Sequence, residues 1–138
     1  MGDAGLFEGR MLIGGERVVG SGGEWLESEN PADESPLGRA PVASVEDVRR
    51  AVDAARRAQP GWAARSVWER AATLRRLAAG IRAQAARILA LEARDTGNTI
   101  GKLGADVQIA AAYLEYFAGL ASEIKGETVP ASAQGLHF

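Results

Sequence analysis

A chain of 138 residues, 25% charged and 46% hydrophobic, has room for one domain with a modest core and the composition of an ordinary globular protein. Its net charge of −2 excludes a general nucleic-acid binder. The absence of cysteine excludes disulfides, thiolate zinc sites and cysteine nucleophiles, and fits a cytoplasmic protein.

The first residues, MGDAGLFEGR, combine no basic start with a long apolar core, so no signal peptide is expected. Gly2 lacks the Ser or Thr that a myristoylation motif requires at position 6, which is Leu6. Arg10 to Val19 reads as a hairpin, with the adjacent glycines Gly14-Gly15 free to take the positive φ angles of a type I′ turn. Gly20-Ser21-Gly22-Gly23 is a loop. It imitates a dinucleotide fingerprint, but Trp25 stands where the last glycine belongs and no helix pattern follows. Trp25 to Glu29 is the next strand, ended by Pro31. Leu37 to Ala43 is a third extended segment. Pro36 and Pro41 lack the ladder donor, so these positions suit an edge or an unpaired flank.

Ser44 and Asp47 make a capping-box-like start for a helix over about Val45 to Gln59, with Val45, Val48, Val52 and Ala55 on one stripe and Pro60-Gly61 as its stop. Arg49-Arg50 and Arg56-Arg57, like Arg75-Arg76 further on, read as solvated helix faces. Ser66 with Glu69 is a second capping box. Val67, Ala71, Leu74, Ala78, Ile81, Ala85 and Ile88 then alternate spacings of four and three, widened by Leu77 and Leu89. Gly80 weakens a continuous helix, so two consecutive helices meeting near Arg82–Gln84 are predicted, with Gly97 as the C-terminal cap. Trp68, in the first turn, is expected to pack on Leu and Ala side chains of a neighbouring helix. A third helix should span about Leu103 to Glu123, its stripe being Val107, Ala110, Leu114, Phe117, Ala121 and Ile124. Glu127 to Val129 and Leu136 to Phe138 read as the arms of a short hairpin. No apolar run approaches the roughly 18 residues of a membrane span.

Gly97-Asn98-Thr99-Ile100-Gly101-Lys102-Leu103 imitates a phosphate loop. It has one residue too few between its glycines, Leu103 in place of the hydroxyl residue, and a helix rather than a strand before it. His137, the single histidine, has no nucleophile and orienting partner beside it in the sequence and reads as an ordinary strand position.

The ordered set of segments resembles the aldehyde dehydrogenase superfamily. It comprises WLESENPADESPLGRAPVASV from Trp25 to Val45, Gln59-Pro60-Gly61-Trp62, Leu91 to Asn98 (LEARDTGN), Ala105-Asp106-Val107, Leu114 to Gly119 (LEYFAG) and Gly126-Glu127-Thr128-Val129-Pro130. The resemblance runs from about Leu12 to Phe138. It implies an α/β fold, the N-terminal part of that family's fold: short strands and a hairpin, then three to four amphipathic helices and the start of a further hairpin. Residues 1–43 would be the β-rich opening, 44–124 the helical region and 125–138 the start of the hairpin. The family's reaction uses a cysteine thiolate, a glutamate base and NAD or NADP to oxidise an aldehyde to a carboxylic acid. The resemblance therefore implies the N-terminal portion of a longer enzyme, inactive alone and binding no nicotinamide cofactor by itself. It assigns no catalytic or cofactor-binding residue within this chain. It does imply a monovalent cation held at Ser28, Glu29 and Asp95, by backbone carbonyls before the Asn-Pro turn and the Asp95 carboxylate, with a further ligand beyond the chain; the alternative is that Asp95 caps or pairs locally with Arg94. A hard cation prefers such oxygen donors. Two departures bear on that corner: Gly97-Asn98 stands where the family has Gly-Lys, and Glu29 where an apolar β-branched residue is common.

The implied partners are the remainder of the enzyme or another subunit, in a homo-oligomer, with neither nucleic acid nor membrane. The alternative reading is a non-catalytic helical module derived from such an enzyme, which presents apolar stripes to a partner. An independent helical enzyme is disfavoured because no acid–base constellation is present.

Overall fold

In the computed structural model, residues 6–123, 125, 126, 129–132 and 135–137 are described, with side chains described for 6–123, 125 and 126. The expectations placed on Gly2, Ile124, Glu127, Thr128 and Phe138 lie outside the described residues.

Five short strands come first: β1 (Phe7–Glu8), β2 (Met11–Ile13), β3 (Glu16–Val18), β4 (Trp25–Glu29) and β5 (Pro36–Pro41). The β2–β3 hairpin forms as expected, with Gly14 at φ 63° and Gly15 at φ 90°. The third extended segment is not confined to an edge. β5 is the central strand of a three-stranded sheet, antiparallel to β4 and parallel to β1. Its prolines are its first and last residues, so the missing donors fall at the strand's ends, and β1 pairs between them at Gly38 and Arg39. Gly38 permits this close approach: a Cβ there would stand 2.1 Å from the Phe7 carbonyl oxygen. Leu37 supplies the buried side chain of this sheet.

Four α-helices follow: α1 (Val45–Ala63), α2 (Val67–Ala83), α3 (Ala85–Thr96) and α4 (Ile100–Gly119), with a 3-10 turn at Leu120–Ser122. Both capping boxes are present, at Ser44/Asp47 and Ser66/Glu69. The break between α2 and α3 falls at Gln84, inside the expected interval. Pro60, expected to stop α1, lies in its last turn instead. A proline loses its own amide bond to the preceding turn, but its carbonyl still accepts, here from Ala64 N–H at 3.0 Å. The strands β6 (Val129–Ser132) and β7 (Gly135–His137) pair antiparallel.

The core lies between α2 and α4. Ala71 packs on Ala118 and Ala121, with Val67 and Leu74 against them, and Ala78 and Ala111 are fully buried. Small side chains let the two backbones come close. Arg82 Nη2 reaches Glu115 Oε2 at 2.8 Å across the same interface. The buried stripe of α4 is Leu103, Val107, Ala111 and Ala118, continued by Ala121 of the 3-10 turn. Of the expected stripe, Val107 and Ala121 are buried and Leu114 half-buried, whereas Ala110 and Phe117 are exposed and Ala111 and Ala118 take their places. Residues 110–112 are three alanines in a row, which give the pattern no hydropathy contrast, so the surface of α2 sets the phase.

The apolar stripe of α1 is not buried. Val45, Val48 and Val52 are 71%, 53% and 44% exposed, and the helix makes its main contact with β2. Trp68, expected against a neighbouring helix, is 60% exposed. The α2–α4 contact closes on the face of α2 that carries Val67, Ala71 and Leu74, and Trp68 lies beside that face with its indole outward.

Candidate functional site

The three expected cation ligands sit where the end of β4 meets the end of α3. Asp95 is the penultimate residue of α3. The helix stops at Gly97, whose backbone is left-handed at φ 70° and whose N–H donates to Ala93 O at 3.1 Å. Against this cap lies the Asn30-Pro31 turn: a Cβ on Gly97 would stand 3.0 Å from Pro31 Cγ. That contact draws the end of β4 to the end of the helix, and the Ser28 hydroxyl donates to Asp95 Oδ1 at 2.6 Å. Of the three expected residues, the structure joins Ser28 and Asp95 through the Ser28 hydroxyl. Glu29 is adjacent in the chain, and its part in the expectation, like that of Ser28, is its backbone carbonyl.

The turn holds itself in shape. Asn30 N–H donates to Ser35 O at 2.9 Å, and Asn30 Oδ1 accepts from Ala32 N–H at 3.1 Å. Glu34 takes φ 58° to close the loop. Asp33 accepts from the Ser35 hydroxyl at 2.6 Å and the Ser35 amide at 3.0 Å, and these bonds hold its carboxyl below the usual range. A shift of register between Ser28 and Glu29 bulges β4 at this point. Beside it lies a hollow lined by Glu27, Ser28, Glu29, Glu34 and Pro36.

The donors available here are all oxygens, and the free carbonyls at a helix C-terminus carry partial negative charge. Both properties suit a hard monovalent cation. Among the described residues, no group of three or more His, Cys, Asp and Glu side chains is placed to hold a metal, so such an ion would depend on backbone oxygens.

Other features read from the sequence stay structural. Gly20 to Gly23 is the link between β3 and β4, and Gly97 to Leu103 is the cap of α3 running into the first turn of α4. His137 is in β7, and its side chain lies outside the described residues.

Two polar clusters carried no long-range signal in the sequence. Asp47, 1% exposed, accepts from the amide and hydroxyl of Ser21 at 2.9 and 3.0 Å and from those of Ser44 at 3.0 and 2.9 Å. These donors, the Ser21 amide foremost, hold its carboxyl at a pKa of about 2. The capping box exposed half of this cluster in the sequence; Ser21, 26 residues away, it did not. The second cluster is Glu8 with Arg10, Arg39 and Trp25, joined across 31 residues between Glu8 and Arg39.

A model of the aldehyde dehydrogenase family matches residues 18–138. The lactaldehyde dehydrogenase of Escherichia coli (strain K12) is 38% identical over 125 residues, which are 91% of this chain and 26% of that protein. Its crystal structure superposes with a TM-score of 0.87 over 93% of this chain and 27% of that one. The aldehyde dehydrogenase from Brucella melitensis biovar abortus 2308 is 33% identical, with a TM-score of 0.89 over 96% of this chain and 28% of its own. PnpE, solved in complex with nicotinamide adenine dinucleotide, is 34% identical, with a TM-score of 0.86 over 92% of this chain and 26% of its own. The chain thus spans about a quarter of the length of the relatives it matches.

Proposed function

Because this chain belongs to the aldehyde dehydrogenase family and corresponds to the N-terminal part of its fold, we propose that it serves an NAD(P)-dependent oxidation of an aldehyde to a carboxylic acid. The observation that carries this reading is the match over residues 18–138 to proteins of which it spans about a quarter. This chain has no cysteine, so the thiolate of the family's chemistry belongs to the rest of the enzyme, on the same or another polypeptide. The nicotinamide cofactor belongs there as well, and supplies the hydride acceptor when bound.

The part played by residues 1–138 is then to cover and position. The exposed stripe of Val45, Val48 and Val52 on α1 and the outward Trp68 on α2 are the faces that the remainder or a neighbouring subunit would bury. The assembled enzyme is a homo-oligomer in this reading.

Ser28, Glu29 and Asp95 hold a monovalent cation through carbonyl and carboxylate oxygens, which fixes the end of β4 to the end of α3. Thermal unfolding of the intact protein in potassium or sodium against a bulky organic cation tests the site. A midpoint indifferent to the cation, in protein whose Asp95→Ala variant melts identically, removes it.

The reaction is tested by nicotinamide absorbance with a panel of aldehydes, on the intact protein and on residues 1–138 alone. Turnover is expected from the first and none from the second. The alternative, a non-catalytic assembly module, rests on the exposed face of α1, and an intact protein inert towards every aldehyde would favour it.

A further inference from the structure

The strand β1 is the shortest of the described strands. It has two residues, pairs with β5 alone, and buries little: Phe7 is 39% exposed and the adjoining Leu6 68%. What holds it is backbone and charge. Gly9 N–H donates to Arg39 O at 2.8 Å. Glu8 Oε2 accepts from Arg39 Nε at 3.2 Å and Nη2 at 2.8 Å, while its other oxygen faces Arg10. Both guanidinium groups lie over the Trp25 ring, Arg39 at 4.3 Å and Arg10 at 5.7 Å from its centroid. A short segment with few apolar contacts opens at low free-energy cost, and an exposed ion pair weakens with salt.

We propose that β1 is a charge-latched strap, which docks on and leaves the β5 edge as a unit while the rest of the sheet stays folded, the latch being the Glu8 carboxylate between Arg10 and Arg39. Release uncovers the edge of β5 at Gly38 and Arg39. The charged groups facing Glu8 are Arg10 from the following turn, Arg39 from β5, and the like-charged Glu27 of β4, which lines the same hollow. The bonds from Arg39 and Arg10 hold the Glu8 carboxyl below its usual range. The latch is therefore closed at neutral pH and opens as pH falls through that lowered value, or as salt rises.

Amide hydrogen exchange of the intact protein tests this at neutral pH. The reporter is Gly9 N–H, and the control is Val42 N–H, which donates to Glu24 O at 2.9 Å just beyond the β4–β5 pair. Between low and molar salt, exchange at Gly9 should quicken by about three- to five-fold, the scale of an exposed ion pair, with Val42 unchanged. Glu8→Gln should exchange fast at Gly9 at every salt concentration. Gly38→Ala blocks docking by a different route, since its Cβ would fall 2.1 Å from the Phe7 carbonyl oxygen, and should abolish protection at Gly9 while sparing Val42. Gly9 and Val42 exchanging together, or Glu8→Gln retaining the salt response, would overturn the strap. So would failure of Glu8→Gln to fold, because the fold would then depend on the docked strand.

Discussion

Replacing Gly97 by Ala strikes the joint on which the candidate site depends. Two costs can be separated. An L-residue forced into the left-handed region, here φ 70° and ψ 8°, loses about 1–2 kcal/mol. The new Cβ would also stand 3.0 Å from Pro31 Cγ, so the Asn30-Pro31 turn must withdraw by a few tenths of an ångström. The expected total is about 1–2 kcal/mol from the backbone, with a smaller steric addition. That withdrawal should also loosen the 2.6 Å bond from Ser28 to Asp95. Chemical denaturation of the intact protein measures the sum. Pro31→Ala in the Gly97→Ala background removes the Cγ and with it the steric part, so the double variant should cost less than the sum of the singles. Gly97→Asn should recover part of the backbone cost, because Asn tolerates the left-handed region, while keeping the clash. A cost for Gly97→Ala below about 0.5 kcal/mol, or strict additivity with Pro31→Ala, would show that the turn does not rest on the cap.

Ala111 is wholly buried between α4 and α2, so Ala111→Leu should overpack the interface and cost about 1–3 kcal/mol in thermal or chemical unfolding. Asp47 has a folded pKa of about 2 against an ordinary 3.8, so its stabilisation is present above the ordinary value and is lost as pH falls towards 2. Asp47→Asn should therefore destabilise at pH 7, and its deficit should shrink between about pH 4 and pH 2 in a pH series of denaturation midpoints. Trp68 is 60% exposed, so Trp68→Ala should cost about 1 kcal/mol in residues 1–138 alone, the remaining share of the 2–3 kcal/mol of full burial. The same substitution should cost more in the intact protein, and equal costs in both would show that nothing covers this face.

Local chemistry was legible in the sequence because it is written in neighbouring residues. The Gly14-Gly15 turn, the boxes at Ser44/Asp47 and Ser66/Glu69, the break at Gln84 and the Gly97 cap each depend on positions a few residues apart. Features set by distant partners were not legible. β5 is central because Phe7-Glu8 comes from 31 residues away to pair with it, and no local pattern announces that. The phase of α4 was decided by the Ala71 and Ala78 surface of α2, not by its own alanine run. Burial was the least legible. The stripes on α1 and at Trp68 have the spacing and residue types of core faces, yet no described element of this chain covers them. At the candidate site, the Ser28–Asp95 approach followed from a resemblance rather than from composition or periodicity, and the structure supplies its cause in the packing of Pro31 on Gly97.

In the proposed function, residues 1–138 serve an aldehyde oxidation whose reacting groups lie elsewhere. The most direct measurement follows nicotinamide reduction by three samples: the intact protein, residues 1–138 alone, and the intact protein carrying serines at Val48 and Val52. Aldehyde-dependent reduction is expected from the first, none from the second, and weakened turnover from the third, because the α1 face no longer docks. Turnover that survives exhaustive purification and scales with residues 1–138 alone would contradict it.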